Sequence, residues 1–412
     1  MSNALIINIG KLVNVRNEYP LLKGEALAVL PVLENVWLRV TGGRIAGMGS
    51  MQQWEAAPGE NIIDAKGGAV LPGWCDSHTH IVFAATREDE FVDKIKGLSY
   101  AEIAAKGGGI VNSARRLRQT TEEELFESAW QRLHKLIQQG TAAIEIKSGY
   151  GLTVADELKM LRVIRRLKQQ SPIPVKATFL GAHAVPEEYK GNTDGYVDLI
   201  IQEMLPAIAA EQLADYIDVF CENGFFSAAQ TIRVCEAGIK HGLLPKIHAN
   251  QLSLSGGVQA GVQLGAVSVD HLETMDDAAI QTLAGSNTIG TLLPSAAFFL
   301  RMAFQPARQL ISAGCAVALA SDYNPGSSPS GNMNLVVAMS CIQMKMLPEE
   351  ALNAATINGA YAMQLEHEVG SITVGKLANL IITQPLPSLA YLPYSFGDNL
   401  IEKVMVGGNI WA

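Results

Sequence analysis

Residues 70–81, Val-Leu-Pro-Gly-Trp-Cys-Asp-Ser-His-Thr-His-Ile, decide how the rest of the chain is read. Successive side chains on a β-strand point to opposite faces, so His78 and His80, two apart, share one. Two imidazoles on one face at a strand's end can grip one metal ion. The apolar residues before them, with Pro72-Gly73, read as a strand entering a core. Taken alone, the same His-x-His is more often a polar turn with two incidental histidines. The remainder of the chain tips the balance.

Downstream, strand-like and helix-like segments alternate. TAAIEIKSGYG, VKATFLGAHA, YIDVFCENG, PKIHANQ, AVSVDHLE, NTIGTLLPS and AVALASDYN follow the first strand, mostly with a helical stretch between neighbours. Near-continuous apolar runs of this kind are the mark of buried parallel strands. Eight such units over roughly 300 residues predict an α/β fold, a (β/α)8 TIM-like barrel. An open doubly wound sheet is the alternative, but no G-x-G-x-x-G follows the first strand. Gly107-Gly108-Gly109 lacks the spacing of a phosphate loop and reads as a turn near the mouth.

Residues 1–67 and the segments SITVGKLANLIITQP and KVMVGGNIWA read as short strands with glycine turns. The two ends resemble one another more than the middle. The expectation is one small β-sandwich domain from residues 1–67 plus 371–412, against a barrel spanning 68–370.

The chain has 412 residues, 48% apolar and 17% charged, the composition of a well-buried globular enzyme. Its 31 basic and 40 acidic residues give −9. With no Lys/Arg stripe, that balance gives no support to nucleic-acid binding. Five cysteines at wide spacings include no C-x-x-C pair, which argues against a thiolate zinc site or a disulfide framework. No basic leader precedes an apolar run, and no 18 consecutive apolar residues occur, so a cytoplasmic chain that does not enter a membrane is expected.

In such a barrel, chemistry sits at the C-terminal ends of the strands. His78, His80, His183, His248 and His271 fall there, as do Tyr150, Glu222, Gln251, Asp270, Asp322 and Asn324; His134, His241 and His367 lie elsewhere. Imidazoles and a carboxylate suit borderline divalent metals, and a catalytic site keeps one position open for water. His78, His80, His248 and Asp322 supply three imidazoles and a carboxylate. Against this, His183 reads first as a hydrogen-bonded pocket residue. Asp322 could merely cap its turn, and His271 could satisfy buried backbone.

PGWCDSHTH at 72–80, His248, His271 and ASD at 320–322 together resemble the amidohydrolase superfamily. FAATREDE at 83–90, GGGI at 107–110, IKSGYGL at 146–152, FLGAHAVP at 179–186, DVFCE at 218–222, LPSAAFFL at 293–300 and SDYNPGSSP at 321–329 narrow the resemblance. They point to the branch that opens the ring of 4-imidazolone-5-propanoate to N-formimidoyl-L-glutamate in histidine degradation. The resemblance runs through the whole barrel. It implies one Zn²⁺ or Fe ion per chain on His78, His80, His248 and Asp322. It implies Asp322 and His271 as catalytic groups, and a substrate pocket of Arg87, Tyr150, His183, Gln251, Asn324, Gly326 and Ser327. It also implies a small-molecule substrate as partner, and barrels of this size often pair as a homodimer. One position departs: many relatives carry Glu three residues after the strand-five histidine, where this chain has Gln251. An amide has no titratable proton at neutral pH, so Gln251 can only hydrogen-bond the ring.

Three other readings use the same residues. One is a deaminase or other cyclic-amide hydrolase on the same scaffold. Another is a non-catalytic barrel serving as a binding module. The third is a metal-independent hydrolase using Ser148, around which no base is evident.

Overall fold

The computed structural model describes residues 3–98, 102 and 108–412; Gly107 of the triple-glycine run lies outside them. Two sheets organise the chain. The first uses both ends: β1 (Ala4–Val13), β2 (Val32–Thr41), β3 (Arg44–Ser50), β4 (Asn61–Asp64) and β5 (Ala69–Pro72). Then, after the barrel strands, come β14 (Leu380–Thr383), β15 (Ile401–Val406) and β16 (Asn409–Ile410). Its order is β16-β15-β14-β5-β1-β2-β3, with β4 also on β1, and its pairings are largely antiparallel.

The second sheet is β6 (Trp74–Thr79), β7 (Thr141–Lys147), β8 (Val175–Ala182), β9 (Tyr216–Cys221), β10 (Leu244–Ala249), β11 (Ser268–His271), β12 (Ile289–Leu292) and β13 (Val317–Leu319). Each strand pairs in parallel with the next. The barrel closes where β13 returns to β6. There His78 O accepts the Asp322 N–H at 3.0 Å, and the His80 N–H donates to Tyr323 O at 2.9 Å. Every expected strand is present and the connections are helical, as the alternation required. Helix starts follow local chemistry: Thr121 caps Glu122–Gln138 and Ser227 caps Ala228–Lys240, each with a reciprocal side chain three residues on.

One reading changes. The stretch 70–81 is two strands rather than one. Residues 69–72 pair with β1 and β14, and the chain enters the barrel only at Trp74. Gly73 is the joint, and it has no room for a side chain. A Cβ there would lie 2.5 Å from Ala142 Cβ and 2.8 Å from Gly140 O.

Apolar side chains between the barrel wall and its helices form the main core, and the terminal sheet carries its own. The barrel's interior is different. Branched aliphatics usually fill it, but here Asp76, His78, Glu145, Lys147, Asp218, Lys246, His248 and Asp270 point inward, all fully or nearly fully buried. No helix among the described residues is long and apolar enough to cross a membrane.

Candidate active site

The strand ends converge as expected. His78 closes in from β6, His80 from one step beyond it, His248 from β10 and Asp322 from the turn after β13. His78 Nε2 stands 3.3 Å from His80 Nε2, and Asp322 Oδ1 lies 3.5 Å from both. Ligand atoms around one tetrahedral ion at ~2.1 Å are roughly 3.4 Å apart, so these three donors already have the spacing of a shared ion. The His248 ring completes the group, its centroid 4.5 Å from that of His78. Among the described residues, two triads have ligand atoms within 4.8 Å of one another: His78, His80, Asp322 and His78, His248, His271. They share His78, and together they contain the four expected ligands plus His271.

The far nitrogens of two rings are held from below. Asp270 Oδ2 is 2.6 Å from His78 Nδ1, and Asp218 Oδ2 is 3.0 Å from His248 Nδ1. A carboxylate on Nδ1 fixes the tautomer that leaves the Nε2 lone pair facing the site. Three imidazoles and a carboxylate, oriented this way, fit a divalent metal ion. Asp322 adopts φ +53°, the left-handed region that residues other than glycine seldom enter. Burial pushes its carboxyl up, but His80, His271 and His248 around it hold it below the ordinary carboxylate range.

A cleft of about 740 Å³ opens above this group, lined in part by His80, Arg87, Tyr150, His183, His248, Gln251, His271, Asp322, Asn324, Gly326 and Ser327. His78 lies beneath it, fully buried. His183 Nδ1 donates to Gly149 O at 2.9 Å, since a carbonyl can only accept. Its ring stacks on His80 at 5.6 Å. Burial and the neighbouring His80 and His248 take its pKa down to about 3, so its Nε2 is a neutral acceptor facing the cleft. His271 behaves oppositely: burial opposes its charge, but the Glu273 carboxylate, 3.4 Å from Nδ1, lifts it above its ordinary value.

Arg87 pairs with neither of its acidic neighbours, Glu88 and Asp89. Its Nε and Nη2 both donate to Glu90 Oε2, at 2.9 and 2.6 Å. Gly326 makes room for it, because a Cβ there would fall 2.3 Å from Arg87 Nη1. Asn324 ties the β13 turn: its Nδ2 donates to Asp322 O and to Ser327 Oγ, both at 2.7 Å, while its Oδ1 accepts the Gly326 and Ser327 N–H groups. Sequence reasoning missed Glu90, Lys94, Glu273 and Gln305. Lys94 lines the cleft, and Gln305 Nε2 donates to Glu273 Oε1 at 2.9 Å. Glu273, two residues after His271, was within reach of strand spacing; Gln305 left no signal.

The sequence profile described as "Amidohydrolase family" matches residues 69–411. The chain belongs to the amidohydrolase family. Within it, the chain is 55% identical to an imidazolonepropionase of Flavobacterium johnsoniae, covering 98% of this chain and 99% of that one. It is 53% identical to an imidazolonepropionase of Christiangramia forsetii over the same shares. Among solved amidohydrolase-like folds, the 5-methylcytosine deaminase from Klebsiella pneumoniae liganded with 5-fluorocytosine superposes with a TM-score of 0.74 at 17% identity. That match covers 98% of this chain and 96% of the deaminase, and it speaks for the fold alone.

Proposed function

We propose that this amidohydrolase hydrolyses the ring carbon–nitrogen bond of 4-imidazolone-5-propanoate, giving N-formimidoyl-L-glutamate in histidine degradation. The observation that carries the reading is one cleft with a three-histidine, one-aspartate group at its floor and an oriented guanidinium in its wall. Full-length identity of 55% to an imidazolonepropionase supports the same substrate.

The ligands in this reading are His78, His80, His248 and Asp322, and their nitrogen and oxygen donors suit Zn²⁺ or Fe equally. One such ion, when bound, lowers the pKa of water towards neutrality and polarises a carbonyl. Arg87 pairs with the propanoate carboxylate through a fork of donors, which fixes the ring over the floor of the cleft. Tyr150 and the His183 Nε2 acceptor bond the carboxylate and ring, and Gln251, Asn324, Gly326 and Ser327 complete the pocket. Asp322 accepts the proton of the attacking water. His271 orients that water and polarises the ring carbonyl. Water oxygen bonds to the carbonyl carbon, the bond from that carbon to its ring nitrogen breaks, and the nitrogen takes up the proton Asp322 carried. Gln251 hydrogen-bonds the ring and carries no proton. Residence in the cytoplasm, supported by five unpaired cysteines, and pairing as a homodimer belong to the same reading.

The test joins elemental analysis of the purified protein to a turnover assay. Ring opening of 4-imidazolone-5-propanoate without ammonia release, with about one Zn or Fe per chain, is the expected result. Ammonia from cytosine or guanine, with the imidazolone untouched, would replace this reading with a deaminase. Metal-free protein with full turnover would remove the ion from it.

A further inference from the structure

Beneath the histidines lies a cluster of charges that the reaction itself does not use. Lys147 Nζ, with no solvent exposure, stands 2.5 Å from Glu145 Oε1, 2.9 Å from Asp218 Oδ2 and 3.6 Å from Asp270 Oδ2. Asp218 and Asp270 are the carboxylates that hold His248 Nδ1 and His78 Nδ1. One ammonium therefore touches the supports of two rings that arrive from different strands, β10 and β6. Glu145 and Lys147 sit two apart on β7 and share its inner face. Asp218 pairs in register with Lys246, one inward-facing step before His248, and Asp270 pairs in register with His248 itself, so the charges lie below and beside the imidazoles. The second buried ammonium, Lys246, hydrogen-bonds Glu145 Oε2, Ser77 O and Ala362 O, and neither ligand-holding aspartate is among those partners.

We infer that Lys147 is a positioning residue for the metal centre, holding Asp218 and Asp270 side by side so that His78 and His248 keep their lone pairs on one point. The reason is electrostatic. Two carboxylates crowded in a dry interior repel, and without a cation between them they swing apart. That movement loosens the grip on a ring's Nδ1 and spoils the direction of its Nε2. Outer partners of this kind typically govern metal affinity by roughly 10–100-fold. Each remaining oxygen of the two aspartates is also fixed. Asp218 Oδ1 accepts the His248 N–H at 3.1 Å, and Asp270 Oδ1 accepts Ser268 Oγ–H at 2.5 Å. Among the described residues, Lys147 is thus the one side chain that pairs with both supports.

This inference rests on the metal reading of the site, and the experiment separates the two. Zn²⁺ affinity is measured by chelator competition, and the visible spectrum is recorded after Co²⁺ loading. The variants are wild type, Lys147→Met, Lys246→Met and the charge-balanced double Lys147→Met/Glu145→Gln. If wild type binds no metal, the metal reading itself fails. If it binds, Lys147→Met and the double variant should bind Zn²⁺ about 10–100-fold more weakly, with an altered Co²⁺ spectrum, while Lys246→Met stays within a few-fold of wild type. Unchanged affinity in the Lys147 variants overturns the inference. So does an equal loss in Lys246→Met, which would make the effect one of buried charge in general. Should the Lys147 variants not fold, a crystal structure of the metal-loaded wild type decides: Lys147 within 4 Å of both aspartates upholds the inference, and separation from either ends it.

Discussion

Asp322 shows how much a single residue is asked to do. Its φ of +53° costs on the order of 1–3 kcal/mol for a side chain with a Cβ. The strain is held in place by its own N–H on His78 O and by the Asn324 knot on its carbonyl. In the proposed function Asp322 is ligand and proton acceptor together. Asp322→Asn should cut kcat by roughly 10²–10⁴-fold, the usual span for a lost acid–base group. Retention of most of kcat in a steady-state assay would take the base role away from it. Arg87 makes a contrasting prediction, since in the proposed function it grips a part of the substrate that does not react. Arg87→Ala should raise KM by about 10–100-fold with kcat nearly kept, and Arg87→Lys should fall between, because an ammonium lacks the fork. A loss confined to kcat would argue against carboxylate anchoring. That both residues stand at the cleft was legible in the sequence. What was not legible was Glu90 as the partner of Arg87, because that pairing depends on where the helix Glu88–Ile95 begins.

At the scale of elements, the seam between β6 and β13 is the construction that makes the site. Asp76 on β6 accepts the Ser321 N–H and Oγ–H, at 3.0 and 2.6 Å, and so joins the first barrel strand to the last. Burial, set against these hydrogen bonds, leaves its carboxyl up at about 7. In the unfolded chain it titrates near 3.8. The folded state therefore binds the extra proton, and Asp76's contribution to stability is full below about 3.8 and is lost as pH rises through about 7. Asp76→Asn keeps the acceptor and never ionises. In metal-stripped protein its Tm relative to wild type should accordingly rise between pH 5 and pH 8.5, by the equivalent of a few kcal/mol at most. A Tm difference that does not change with pH would show that Asp76 stays in one protonation state throughout. The seam was partly legible, because ASD at 320–322 and the His-x-His strand both stood out. The break at Gly73 was not, since the atoms that forbid a side chain there belong to Gly140 and Ala142, some seventy residues away.

For the molecule as a whole, the eight barrel strands were readable because a parallel strand buried on both faces is apolar over much of its length, and most runs gave way to a polar residue at the C-terminal end. The charged interior was harder to foresee: Glu145 and Lys147 look like interruptions of an apolar strand until closure brings Asp218 and Asp270 around them. The ends of the chain pose the remaining question. We propose that residues 1–67 and 371–412 act as one folding unit together with β5, which lies just beyond the first bound and on which both halves meet. Its core draws Ala4, Ile6, Leu38 and Val40 from the first half and Ile372, Leu380, Ile382 and Met405 from the second. Burying each of those last four is worth about 1.5–3 kcal/mol, so removing them forfeits on the order of 6–12 kcal/mol. That equals most of the stability of an ordinary domain. Truncation after residue 370 also strips β14 from β5 and leaves β5 as an unpaired edge. Amides of β1 and β2 should then lose their slow hydrogen exchange, read peptide by peptide by mass spectrometry. Full protection of residues 1–67 in the truncated chain would mean that the first half is held by the barrel instead, and that the two ends are neighbours without being a unit.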